Sequence, residues 1–152
     1  MKFLYSLRAR ALALMLLTAP FALSSCGLFD LVEPEADEQI PSGYTEQGTI
    51  TVTNGSLQIC ARDFGTIDGD VIDILIDGTT YKSNLTLTGS DQCFSKTLSK
   101  GKHWIGIIAR SEGSLTPCTA GISVNDSKTT QKFELNAYKN GTNGAYTIKV
   151  EI

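Results

Sequence analysis

The stretch D-F-G-T-I-D-G-D-V-I-D-I-L-I-D-G, Asp63 to Gly78, decides how this chain folds. Its second half, Val71 to Asp77, reads as a strand that closes on Asp77-Gly78, a dipeptide suited to the positive backbone angles of a two-residue hairpin. Its first half is an acidic loop marked by Gly65 and Gly69. A loop of that kind feeding a strand of that kind fixes the sheet register and builds one rim of the domain. Outward from it the side chains keep a period of two. Ile50 and Val52 alternate with threonines, and Asn54-Gly55 then precedes Leu57, Ile59 and Ala61, which predicts a first hairpin.

Further strands are predicted at Thr79 to Thr88, Gln92 to Ser99, His103 to Arg110, Ala120 to Asn125, Lys132 to Tyr138 and Ala145 to Glu151. The run Trp104-Ile105-Gly106-Ile107-Ile108-Ala109 is the most continuously apolar after the leader and predicts a central strand covered on both faces. Asn140-Gly141 and Asn143-Gly144 mark turns, and no segment carries a useful helical period. The expected fold is all-β over residues 48–152: an antiparallel β-sandwich of eight or nine strands, immunoglobulin-like or jelly-roll-like.

If every connection reverses the chain, the loop at 63–70, the turn at 88–91, the loop at 111–118 and the turn at 139–143 fall at one end. Asp63, Asp68, Asp70, Asp91 and Glu112 would then share a rim. Short carboxylates on a glycine-bent loop are suited to calcium, which takes several oxygen ligands at fixed distance. Calcium is the one cofactor expected, with those five residues as its candidate ligands. The spacing is not that of an EF-hand, because Val71 and Ile72 stand where further polar ligands would be needed. The competing reading has the same aspartates accepting backbone N–H groups in turns that hold the corner rigid.

Met1 to Ser25 carries Lys2, Arg8 and Arg10, then the apolar run Ala11 to Leu17, then Leu23-Ser24-Ser25 before Cys26, the pattern of a secretory signal peptide. Leu-Ser-Ser-Cys-Gly looks like the lipobox of bacterial lipoproteins, which implies cleavage before Cys26 and acylation of its thiol. Residues 26–47, with six acidic side chains from Gly27 onward, no basic ones, Pro34 and Pro41, are expected to form a flexible linker. Loss of three basic residues with the leader leaves 10 Lys and Arg against 16 Asp and Glu, a balance of −6. That balance disfavours nucleic acid or an anionic headgroup surface as partner. The expected attachment is to a membrane through the N-terminal lipid. By resemblance to lipoprotein sorting signals, Gly27 in place of an aspartate implies the outer membrane, on its periplasmic or cell-surface side.

With Cys26 acylated, Cys60, Cys93 and Cys118 remain, so one cannot pair within a monomer. Cys60 with Cys93 fits neighbouring second and fifth strands, and Cys93 with Cys118 fits a shared rim. His103 is the sole histidine and no Ser or Cys motif beside it defines a triad, so no catalytic residues are expected. Tyr81, Tyr138 and Tyr146 could stack on sugars or proteins, though tyrosine is also an ordinary strand former.

The motif Asp63-x-Gly-x-x-Asp68-Gly69-Asp70, with Asp77-Gly78 closing the strand and Glu112 to Ala120 as a second glycine-proline loop, resembles uncharacterised secreted β-sandwich domains of bacterial envelope and adhesin-like proteins. The resemblance covers about residues 48–152 and implies a non-enzymatic module whose two loops pack together or bind something small. The expected function is thus a structural or accessory binding module of the envelope, with calcium at its acidic rim as a secondary reading. A protein-recognition subunit of an envelope complex and a carbohydrate-binding or carbohydrate-processing protein are the competing expectations.

Overall fold

The computed structural model describes residues 34–152. The leader, Cys26 and the start of the acidic segment lie outside the described residues. Ten strands follow in order: β1 (Ala36–Asp37), β2 (Tyr44–Val52), β3 (Ser56–Asp63), β4 (Asp70–Ile76), β5 (Thr79–Thr86), β6 (Gln92–Thr97), β7 (Gly101–Glu112), β8 (Cys118–Asn125), β9 (Thr130–Ala137) and β10 (Asn143–Val150). They form two sheets, one ordered β2-β10-β7-β4-β5 with β1 added beside β7, the other β6-β3-β8-β9. The chain is a β-sandwich, antiparallel except where β1 pairs with β7 and β2 with β10.

Alternation explains the core. Ile72, Ile74 and Ile76 of β4 and Ile105, Ile107 and Ala109 of β7 point inward from one sheet, and meet Leu57, Ile59 and Ala61 of β3 and Ala120, Ile122 and Val124 of β8 from the other. Burying each of these isoleucine, leucine and valine side chains contributes roughly 1.5–3 kcal/mol. The Asp77-Gly78 turn is a true hairpin: φ is 51° at Asp77 and 75° at Gly78, and β4 pairs with β5 across it.

Asn54-Gly55 does not close a hairpin, contrary to the sequence reading, because β2 and β3 belong to different sheets. The dipeptide makes a corner between sheets instead. Its Asn54 Oδ1 accepts the Ser56 N–H at 3.0 Å, and a Cβ on Gly55 would stand 2.1 Å from the Leu98 carbonyl oxygen. Asn140-Gly141 likewise carries the chain from β9 in one sheet to β10 in the other. A tight turn serves a crossover as well as a hairpin, so the dipeptide alone does not say whether its flanking strands pair.

The sandwich also begins before position 48. Residues 34–47 supply β1, the start of β2, and Ile40 and Tyr44, which pack against Trp104, Leu75 and Ala145 on the outer face of the larger sheet. Tyr44 and Trp104 ring centroids lie 5.1 Å apart. Gly106 makes room for them, since a Cβ there would come within 2.9 Å of both rings. The unbroken apolar run of β7 is thereby covered on both faces, by the second sheet within and by the N-terminal segment without.

Cys60 and Cys93 face each other across β3 and β6 and form a disulfide. Cys118 is free and buried, with its thiol donating to the Ser111 carbonyl at 3.0 Å. Burial, with the Asp70 charge next in effect, pushes that thiol up to about 12, which disfavours the nucleophilic thiolate at neutral pH.

Candidate metal centre

Asp63 ends β3 in the inward phase set by Ile59 and Ala61, and Asp70 opens β4 in the inward phase continued by Ile72 and Ile74. Alternation therefore places one carboxylate from each sheet at the mouth of the core, where Asp63 is 4% and Asp70 2% exposed. The six residues between them cross from sheet to sheet, and Asp68 leans onto the β7–β8 loop. Its Oδ2 accepts the N–H groups of Ser114 at 2.9 Å and Leu115 at 2.6 Å. Asp70 Oδ2 accepts the Thr119 N–H at 2.9 Å, and Thr119 also bonds the Phe64 backbone through both its carbonyl and its hydroxyl. Two loops distant in sequence are thus joined around three carboxylates.

One oxygen from each of Asp63, Asp68 and Asp70 lies within 4.8 Å of the others, the separation that oxygens on a common calcium ion can span with Ca–O distances near 2.4 Å. Both Asp63 oxygens and Asp70 Oδ1 are buried with no hydrogen-bond partner. Burial first, then the Asp68 charge, raises the Asp63 pKa, and the pull of the nearby Asp68 N–H only partly offsets this. Burial also raises the Asp70 pKa, against the pull of the Thr119 N–H.

The other two buried aspartates show what a purely structural carboxylate looks like here. Asp126, at the opposite end, binds the N–H groups of Lys128 and Thr129 through Oδ1 and that of Thr53 through Oδ2. Those N–H groups, Thr53's foremost, hold its carboxyl far below the usual carboxylate range. Asp73 takes the Asn84 N–H at 2.8 Å and Arg110 Nε at 2.9 Å, and the Arg110 guanidinium lowers its pKa. Asp63 and Asp70 shift the other way because burial outweighs what few donors they meet, one N–H on Asp70 and no hydrogen-bond partner on Asp63. Three converging carboxylates with three orphaned oxygens need a proton or a cation. The hard oxygen donors and the surplus of negative charge suit a divalent ion such as calcium.

Asp91 and Glu112 sit on the same rim but outside the cluster. Asp91 lies 3.8 Å from Arg62 in an exposed ion pair, and Glu112 Oε1 accepts the Lys139 N–H at 3.2 Å. The turn-bracing reading holds for one oxygen of Asp68 and one of Asp70, and fails for Asp63.

Sequence reasoning missed a second constellation because its members meet across two turns. His103 Nδ1 is 2.7 Å from Asp77 Oδ2, and Ser99 Oγ is 3.5 Å from His103 Nε2. The order Ser–His–Asp has the look of a hydrolytic triad, but Nε2 also points at the Ser99 carbonyl oxygen, 3.0 Å away. A ring nitrogen donating to a carbonyl has no lone pair for the serine proton. With Asp77 Oδ1 taking the Trp104 N–H at 2.9 Å, the group clamps the Asp77-Gly78 hairpin to the turn before β7. Compared with known proteins, the chain matches no protein-family model, and neither a curated protein nor a solved structure shows significant similarity to it.

Proposed function

We propose that this domain is a non-catalytic module of the bacterial envelope, held to a membrane by lipid on Cys26 and stabilised by calcium at Asp63, Asp68 and Asp70. The observation that carries the cation reading is the pair of unpartnered oxygens on Asp63, a side chain buried at the junction of two loops. Calcium would supply the charge that the surrounding backbone does not, and would tie the β3–β4 loop to the β7–β8 loop. The lipid anchor is supported by the Leu23-Ser24-Ser25-Cys26-Gly27 pattern.

Thermal unfolding of residues 34–152 in chelator and in calcium tests the cation. Extracellular calcium modules bind at about 10⁻⁴–10⁻³ M, so the titration must reach tens of millimolar. At about 100 times Kd the ion adds about 2.7 kcal/mol, a rise on the order of 10 °C for a domain of this size. An unchanged midpoint across that range refutes the cation reading. Metabolic labelling with a fatty acid, lost in Cys26→Ser, tests the anchor separately.

A further inference from the structure

Among the described residues five large apolar side chains are left exposed: Phe64, Ile67, Leu115, Tyr138 and Ile152. All but Ile152, the last residue, stand on the rim that carries the aspartate cluster. Phe64 and Ile67 belong to the β3–β4 loop, and the Leu115 N–H is held by Asp68. Tyr138 shares a shallow cleft with Glu112 and Thr116 of the β7–β8 loop. These four are 41–65% exposed. A second cleft of about 210 Å³ opens between the two loops, with Asp68, Asp70, Thr66 and Thr116 in its walls and Phe64 and Leu115 at its edges.

We propose that the calcium-loaded rim docks on an anionic phospholipid surface, with headgroup phosphate oxygens completing the ion's coordination and Phe64, Ile67, Leu115 and Tyr138 entering the interfacial layer. This rests on the cation reading above. Calcium takes six to eight oxygens, more than three aspartates supply with one oxygen each, and two of those aspartates, Asp68 and Asp70, also line the cleft. A phosphate oxygen fills such a position.

The shape of the apolar group favours a bilayer over a peptide or a sugar. Ile67, Leu115 and Tyr138 stand on three different loops, no single cleft takes in all four side chains, and aliphatic Ile67 and Leu115 offer no flat face for a sugar ring. Side chains so placed are buried by a laterally continuous apolar phase. The charge explains why the ion is required. Asp63, Asp68, Asp70, Asp91 and Glu112 repel anionic headgroups, and a bound divalent cation cancels two of those charges where contact is made.

Residues 34–152 are mixed with vesicles of phosphatidylcholine and phosphatidylglycerol, or of phosphatidylcholine alone, in millimolar calcium or in chelator, and sedimented. Calorimetry without vesicles first measures the ion; if no calcium binds, the cation reading falls and the docking with it. Once binding of the ion is established, the protein is expected to pellet with phosphatidylglycerol vesicles in calcium and to stay in solution in chelator. The exposed pair Ile67→Ser and Tyr138→Ser should keep calcium affinity and lose vesicle affinity by about tenfold or more. Calcium binding without partition overturns the docking and leaves the ion in place. So does equal partition of the double variant, equal partition onto phosphatidylcholine alone, or retention on a polysaccharide resin where vesicles fail.

Discussion

Asp63 carries the largest unmet electrostatic demand in the domain, and two properties follow from it. Burial raises the folded-state pKa of Asp63 and of Asp70 above the ordinary 3.8. A carboxyl with a raised folded pKa favours the folded state below its unfolded pKa, and that advantage is lost as pH rises through the folded value. In chelator, the urea midpoint should therefore fall as pH rises from about 4 through the raised values. In saturating calcium the ion depresses both pKa values, so the slope should reverse and stability should be lost on acidification. Asp63→Asn removes the buried charge, and in chelator it should raise stability by about 1–3 kcal/mol while abolishing the gain from calcium. A loss of stability in chelator would mean that the carboxylate already has a partner. That Asp63 and Asp70 face inward was legible in the sequence, since each continues the phase of an alternating apolar strand. That Asp63 has no hydrogen-bond partner and Asp70 only one was not, because the N–H groups that hold Asp68 and Asp70 come from Ser114, Leu115 and Thr119, nearly fifty residues away.

Strands were legible from alternation, and pairings only in part. Asp77-Gly78 closes a hairpin and Asn54-Gly55 turns a corner between sheets, yet the two dipeptides impose similar local geometry. What distinguishes them is which sheet's inner face the next apolar set must cover, a property of the assembled molecule. The disulfide shows the same limit: sequence left Cys93 open to either Cys60 or Cys118, and the direct opposition of β3 and β6 selects Cys60. The bridge closes a separation of 33 residues and braces β6, an edge strand of the smaller sheet. Cys60→Ala with Cys93→Ala should lower stability by about 2–4 kcal/mol in urea unfolding, mainly by freeing the unfolded chain. Reduction of the parent should give the same loss, and the variant should not respond to reductant.

The acidic, proline-bearing stretch before position 48 reads as linker because it has few apolar residues, but two of them decide its fate. Ile40 and Tyr44 cover Trp104 and Leu75, and β1 bonds to the start of β7 through Ala36 N–H to Lys100 O at 2.8 Å and Glu38 N–H to Lys102 O at 2.9 Å. A chain cut to begin at residue 48 should expose Trp104, shift its fluorescence to the red and unfold at lower urea than residues 34–152. Identical spectra and midpoints would make the early segment dispensable. The described chain enters beside Gly101, and the rim loops leave β7 beyond Glu112. Twelve residues of extended strand span roughly 35–40 Å. β7 is therefore a strut that keeps the end of the domain where the described chain enters at a fixed distance from the rim loops at the other end.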